Sequence, residues 1–210
     1  SKEYYIFIYN MQSSIIMNTK EINKTIVNNV LLMLKRRKDI SKKTFDIYNN
    51  KDGNIETIFN IKEGENNFSI YIVNSILNSI ISKSSLDEYL NNDINIRKII
   101  IIKTPSKRTI KQLLNNYKNV EFFFLHEMLE DLPSKKFIPK HILLNEEESS
   151  LLNEKIKLNE LSKIRIYDPM ARYNNAKIND VFKIIRPNLT TIEEVFYRIV
   201  IEDKIDSMFL

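Results

Sequence analysis

Between residues 19 and 38, apolar side chains return at helical spacing. Ile22, Ile26, Val30 and Leu34 fall four apart, and Val27 and Leu31 widen the stripe. The spacing predicts an amphipathic helix capped by Asn18 or Thr19, with Glu21 in the capping-box position after Asn18. Lys35-Arg36-Arg37-Lys38 closes it. Cations there favour the negative end of the helix dipole; contact with DNA or an acidic partner is the other reading of the cluster. A short helix over 42–49 and a turn at Asn50-Lys51-Asp52-Gly53-Asn54 come next. Ile55 to Ile61 predicts a strand, ended by Glu63-Gly64-Glu65-Asn66-Asn67.

The following stretch defines an architecture. Phe68-Ser69-Ile70-Tyr71-Ile72-Val73 predicts a strand, and Ile76, Ile80, Ile81, Leu86, Tyr89 and Leu90 follow a helical pattern. Lys98 to Ile102 is an uninterrupted apolar strand, Ser106 to Tyr117 a helix, and Val120 to Leu125 a third strand. Strand, helix, strand, helix, strand at these lengths is the βαβαβ pattern of a parallel sheet covered on both faces.

Past Leu132 the pattern changes. Proline recurs at Pro133, Pro139, Pro169 and Pro187, and the elements shorten. Asn145 caps a helix over 146–155, with Glu148 completing a capping box. Val181 to Ile185 and Phe196 to Ile201 read as strands. The expected fold is therefore α+β overall: an α/β domain over 1–131, then a small α+β domain over 132–210.

Composition excludes much chemistry. Ile, Asn and Lys make up about 40% of the 210 residues and alanine occurs only at 171 and 176, a skew that fits an AT-rich genome. The net charge is +5; residues 1–131 hold 19 basic and 15 acidic side chains, the remainder 13 and 12. Nucleic-acid contact, if the excess means more than solubility, belongs mainly to the first part. Without Cys there is no disulfide, zinc-thiolate site or cysteine nucleophile. His126 and His141 stand alone, without metal-ligand spacing. Gly53 and Gly64 are the only glycines, so neither a dinucleotide-binding fingerprint nor a phosphate loop is present. The strands at 68–73 and 98–102 carry no carboxylate and the third only Glu121, which argues against a metal-dependent nuclease. No apolar run approaches the ~18 residues of a membrane span, and Lys2 to Tyr9 is too short for a signal peptide. The expectation is a soluble intracellular protein with no catalytic or metal site, no cofactor, no small-molecule ligand and no membrane contact.

One local motif stands out. Thr104-Pro105-Ser106-Lys107-Arg108-Thr109 joins a strand to a helix at the carboxyl edge of the predicted sheet. Thr104 can cap the helix and Pro105 suits its first position. Free backbone N–H groups beside Lys107 and Arg108 can receive a phosphate; an ordinary capped helix with solvated charges explains the motif equally well.

A resemblance emerges in the last third. His126-Glu127 and Phe137-Ile138-Pro139-Lys140-His141-Ile142-Leu143-Leu144-Asn145 begin it, and Lys157 to Ile164 and Asp168-Pro169-Met170-Ala171-Arg172-Tyr173 continue it. It is clearest at Val181-Phe182-Lys183-Ile184-Ile185-Arg186 and Tyr197-Arg198-Ile199-Val200. These ordered segments resemble the fifth-largest subunit shared by eukaryotic nuclear RNA polymerases, which has an archaeal RNA polymerase counterpart. Thr104-Pro105-Ser106 is similar to that family's Thr-Pro-Ser motif.

The resemblance implies a non-catalytic polymerase subunit. Its first domain is then a jaw near downstream double-stranded DNA, with Thr104, Pro105, Ser106, Lys107 and Arg108 DNA-proximal. Its second is an assembly domain on the largest subunit, beside other polymerase subunits. The matched segments place Pro139, Lys140, His141, Asp168, Pro169, Arg172, Tyr173, Lys183, Arg186, Tyr197 and Arg198 at that interface, and arginine and tyrosine are types enriched at interface centres. The archaeal counterpart consists of the second module alone, consistent with the boundary near 131. Asn174-Asn175 and Asn179-Asp180 stand where the family has glycines, and Asn and Asp tolerate positive φ. Residues beyond Glu202 exceed the family's usual end. This divergence and the composition imply a large DNA virus of the African swine fever virus type, acting in host cytoplasm and virion; a cellular homologue implies the nucleus. A free-standing DNA-binding adaptor and a cryptic nuclease are the competing readings.

Overall fold

Two four-stranded mixed sheets organise the computed structural model, which describes residues 19–50, 57–188 and 192–209. Helix α1 (Thr19–Arg36) forms as its apolar stripe predicts. Lys38 adopts φ 63° and ends it, with the Asp39 N–H donating to the Leu34 carbonyl at 2.9 Å. The Asn18 cap, the segment Lys2 to Tyr9 and most of the 50–54 turn lie outside the described residues. Helix α2 (Lys42–Asn49) is capped by Ser41.

The first sheet has the order β1 (Ile58–Glu63), β2 (Asn66–Leu77), β3 (Arg97–Pro105), β4 (Val120–Phe124). The last three strands are parallel, as the βαβαβ pattern predicts. The sheet is nevertheless mixed, because β1 and β2 form an antiparallel hairpin through Gly64, at φ 58°. Asn66 and Asn67 thus begin a strand instead of ending a loop.

Side-chain alternation divides the strands between two apolar layers. Ile70, Ile72, Ile99, Ile101 and Phe123 pack with Ile26, Val30 and Leu34 of α1. Ile100, Ile102, Phe122 and Phe124 face the other way, against α3 (Ser85–Asn91) and α4 (Lys107–Asn116). That double cover explains why β3 is apolar at consecutive positions.

Two expectations are corrected here. The helical pattern from Ile76 to Leu90 yields only α3, begun by Ser84, whose hydroxyl accepts from the Asp87 N–H at 3.2 Å. Strand β2 continues to Leu77 beyond a bulge, so Ile76 and Ile81 remain 69% and 70% exposed. The same extension pairs Ile76 with Thr104 and Leu77 with Pro105, holding the chain extended two residues longer than predicted. Ser106, not Thr104, therefore caps α4, and Lys107, not Pro105, opens it.

After the short helix α5 (Leu125–Met128), the second sheet runs in the order β5 (Lys140–Leu143), β7 (Val181–Asn188), β8 (Ile192–Ile201), β6 (Ser162–Arg165). Only β6 and β8 pair in parallel. Helix α6 (Glu146–Lys155) has the predicted capping box between Asn145 and Glu148. Helix α7 (Pro169–Tyr173) starts on Asp168, whose carboxylate accepts from the Met170 N–H at 2.8 Å. Asn175 and Asn179 take φ 51° and 74°, the left-handed conformation that asparagine tolerates better than most side chains. No helix among the described residues is long and apolar enough to cross a membrane.

Candidate nucleic-acid and docking surfaces

The motif at the end of β3 is a built joint. The Ser106 hydroxyl accepts from the Thr109 N–H at 3.1 Å and donates to the Asn78 carbonyl, and the Thr109 hydroxyl donates to the Leu77 carbonyl at 2.7 Å. These bonds tie the start of α4 to the end of β2. Thr104 is exposed beside Lys103, while Pro105 and Ser106 are half-buried. Lys107 and Arg108 are exposed, and Lys111 joins them one turn on, making three cations on one helix. Lys111 is absent from the sequence-predicted set, although its spacing from Lys107 and Arg108 was the available signal. This arrangement can hold phosphate oxygens by charge while the joint fixes the helix start.

The predicted docking residues of the second sheet divide between its faces. Register and alternation put His141, Arg186 and Arg198 on the face of Phe182 and Ile184. Lys140, Lys183 and Tyr197 occupy the opposite face with Ile142, Ile185 and Val195. Arg186 lies 5.1 Å above the Phe196 ring, and His141 meets Phe182 edge-on at 5.8 Å. His141 Nδ1 is 2.7 Å from the Pro139 carbonyl, and burial pushes its pKa below the ordinary histidine value. Pro139 thus orients the ring, while Asp168 and Pro169 serve the start of α7. One sheet cannot present both sets to a single flat surface.

Arg172 and Tyr173, expected at a subunit interface, make their side-chain contacts within the chain. The Arg172 guanidinium pairs bidentately with Glu127 of α5, and both side chains are under a tenth exposed. The Tyr173 ring belongs to the apolar layer of α1, and its hydroxyl accepts from Arg36 at 2.8 Å. Arg36 also grips Asp131 with two nitrogens. Arg37 donates to the carbonyls of Arg172 and Tyr173 and, at 2.6 Å, to Glu121. Arg97 completes a network with Glu121 and Asp39 at 3.0 and 2.9 Å. The two arginines at the basic end of α1 therefore find acidic partners inside the molecule and bolt α7 to the first sheet, while Lys35 lies over the Phe45 ring. Nothing in local spacing announces contacts that span 84 to 137 residues.

A cleft of about 630 Å³ opens beside this junction, with Phe124, His126, Glu127, Asp168, Arg198 and Phe209 among its lining. His126 stacks on Phe124 at 5.6 Å. Among the described residues no group of three or more His, Asp or Glu is placed to hold a metal ion. The candidate surfaces are thus a cationic helix start and a two-faced sheet.

Residues 131–200 match the family described as RNA polymerase Rpb5, C-terminal domain. The chain is 32% identical over 191 residues to DNA-directed RNA polymerase subunit 5 of Acanthamoeba polyphaga mimivirus, covering 85% of this chain and 91% of that protein. Subunit RPABC1 of DNA-directed RNA polymerases I, II, and III from Caenorhabditis elegans is 32% identical over 111 residues, 50% of this chain and 52% of the relative. Subunit Rpo5 of DNA-directed RNA polymerase from Methanothrix thermoacetophila is 39% identical over 69 residues, 32% of this chain and 88% of that protein.

Proposed function

The chain belongs to the family of DNA-directed RNA polymerase subunit 5, and on that premise we propose that it is a non-catalytic subunit of a multi-subunit DNA-directed RNA polymerase. The single observation that carries this is the similarity to the mimivirus subunit, which runs through nearly the whole of that protein. In this reading the chain contributes binding surfaces and no reactive centre, cofactor site or small-molecule site of its own.

Residues 132–210 form the assembly domain on the largest subunit, with 1–131 as the jaw. The archaeal relative supports this division, since nearly all of it corresponds to about a third of this chain. The change of sheet between β4 and β5 supports it too. Docking uses Lys140, Lys183 and Tyr197 on one face of the second sheet or Arg186 and Arg198 on the other. Pro139, His141, Asp168 and Pro169 shape that domain from within, and Arg172 and Tyr173 fix its attitude to the jaw. The cationic start of α4 lies toward downstream DNA, with Thr104, Pro105 and Ser106 at its joint. The viral relative favours viral transcription in host cytoplasm and virion; in a cellular setting the same subunit works in the nucleus.

Affinity purification of the tagged chain tests assembly: the large polymerase subunits co-purify in stoichiometric amounts. Recovery with DNA but without them overturns the reading in favour of a free-standing adaptor. In the assembled enzyme, Lys107→Glu with Arg108→Glu weakens DNA retention and lowers its salt dependence while leaving assembly intact. Unchanged salt dependence removes the DNA-facing role.

A further inference from the structure

After β8 the chain returns from the second sheet to the first. Asp203 starts the return, its carboxylate accepting from the Lys204 N–H at 2.8 Å and from the Ser207 hydroxyl. A single turn, Ile205–Phe209, follows. Ile205, Met208 and Phe209 pack on the apolar layer beneath α3 and α4. The Phe209 ring lies 6.1 Å from that of Phe124, and the Lys107 ammonium lies 6.0 Å from the Phe209 centroid.

That seating brings the Asp206 carboxylate to 3.0 Å from Lys107 Nζ. The Lys107 hydrogen bond and charge, with Lys111 and Lys204 adding to the field, hold the carboxyl below its usual range. The two partners are 53% and 57% exposed, so the ion pair alone adds little stability. Apolar contact by Ile205, Met208 and Phe209 keeps the carboxylate beside the lysine and raises its effective concentration there.

We propose that residues 203–209 are an intramolecular acidic latch on the basic start of α4. Asp206 occupies the place of a nucleic-acid phosphate, and duplex DNA must displace it to engage Lys107. The proposal rests on α4 being the DNA-facing element, and it adds a competitor carried by the same chain. The competitor is selective: it engages Lys107 and leaves Arg108 to make the first encounter. Because both contacts are electrostatic, added salt loosens the latch and the duplex together.

The test uses the full chain and a short fluorescent DNA duplex at low salt. Asp206→Asn removes the charge, and Phe209→Ala loosens the seating without touching a charge. Each tightens duplex binding by a factor on the order of three, the size an exposed ion pair supports. Adding Lys107→Ala to either variant abolishes the gain, and hydrogen exchange across 204–209 speeds up when duplex binds the unaltered chain. Equal affinity of the unaltered chain and both variants, with binding still lost on Lys107→Ala plus Arg108→Ala, overturns the latch and leaves the DNA-facing role standing. Absence of duplex binding by every variant overturns both.

Discussion

Arg172 of α7 and Glu127 of α5 meet between the two sheets with side chains 9% and 6% exposed. Glu127 has a second duty, accepting the Phe124 N–H at 2.9 Å, and Arg172 donates to the Tyr167 carbonyl at 3.2 Å. The guanidinium also lies 5.3 Å from the Phe124 ring centroid. Burial makes this pair costly to break, because either survivor is left with an uncompensated charge. Arg172→Met or Glu127→Gln is expected to lower stability by roughly 3–5 kcal/mol. Urea unfolding of the single variants and of the double variant measures it. The double variant loses less than the two singles together, and strict additivity excludes the coupling.

Arg37 acts on the same junction from α1's end. Its fork reaches two successive carbonyls at the end of α7 and the Glu121 carboxylate at once. Lysine has one point charge and no planar fork, so Arg37→Lys cannot reproduce that geometry. The expected loss is about 3 kcal/mol, with Arg37→Lys nearly as damaging as Arg37→Met. Hydrogen exchange at residues 172–176 rises in both variants. Full rescue by lysine reduces the role to charge alone.

Much of this fold is readable from the chain wherever burial is two-sided or a cap is local. Ile99 to Ile102 betrays a covered strand because both faces of β3 meet apolar layers. Asn145 and Glu148 betray the start of α6 because their capping bonds span three residues. Strands β5 and β6 leave no comparable trace: each has four residues, and β6 buries only Ile164. Ile76 and Ile81 mislead because they continue a helical spacing yet remain outside the core. The basic start of α4 is visible in sequence, but its occupant Asp206 stands about 100 residues away. Arg172 and Tyr173 look like docking residues because their side-chain types suit an interface. Their contacts within the chain, with Glu127 and Arg36, are not announced by those types.

Asn179 rests on one unusual backbone torsion. At φ 74° it sits where side chains with a Cβ are strained, and its N–H donates to the Val200 carbonyl at 2.9 Å. Asn179→Ala is expected to cost about 1–2 kcal/mol, since alanine lacks asparagine's tolerance of the left-handed region. Asn179→Gly keeps stability within about 1 kcal/mol of the starting protein, relief of strain offsetting chain entropy. Thermal unfolding of the two variants ranks them. Alanine matching glycine would show that the turn does not require this conformation.

His141 gives the second sheet a predictable response to acid. Burial is the first cause of its lowered pKa; the Pro139 carbonyl and Asp168 oppose the shift, while Arg198 and Arg186 reinforce it. Between the lowered folded value and the ordinary 6.5, the unfolded chain binds more protons at this site than the folded chain does. Stability therefore rises with pH across that window and falls as acid is added below 6.5. His141→Phe keeps an aromatic ring against Phe182 and removes the titration. Urea unfolding of both proteins at neutral and mildly acid pH isolates the effect, because the carboxylates common to both cancel in the difference. The variant is expected to lose less stability on acidification than the unaltered chain. The reverse order would mean that the folded sheet welcomes the imidazolium, with Asp168 outweighing burial and both arginines.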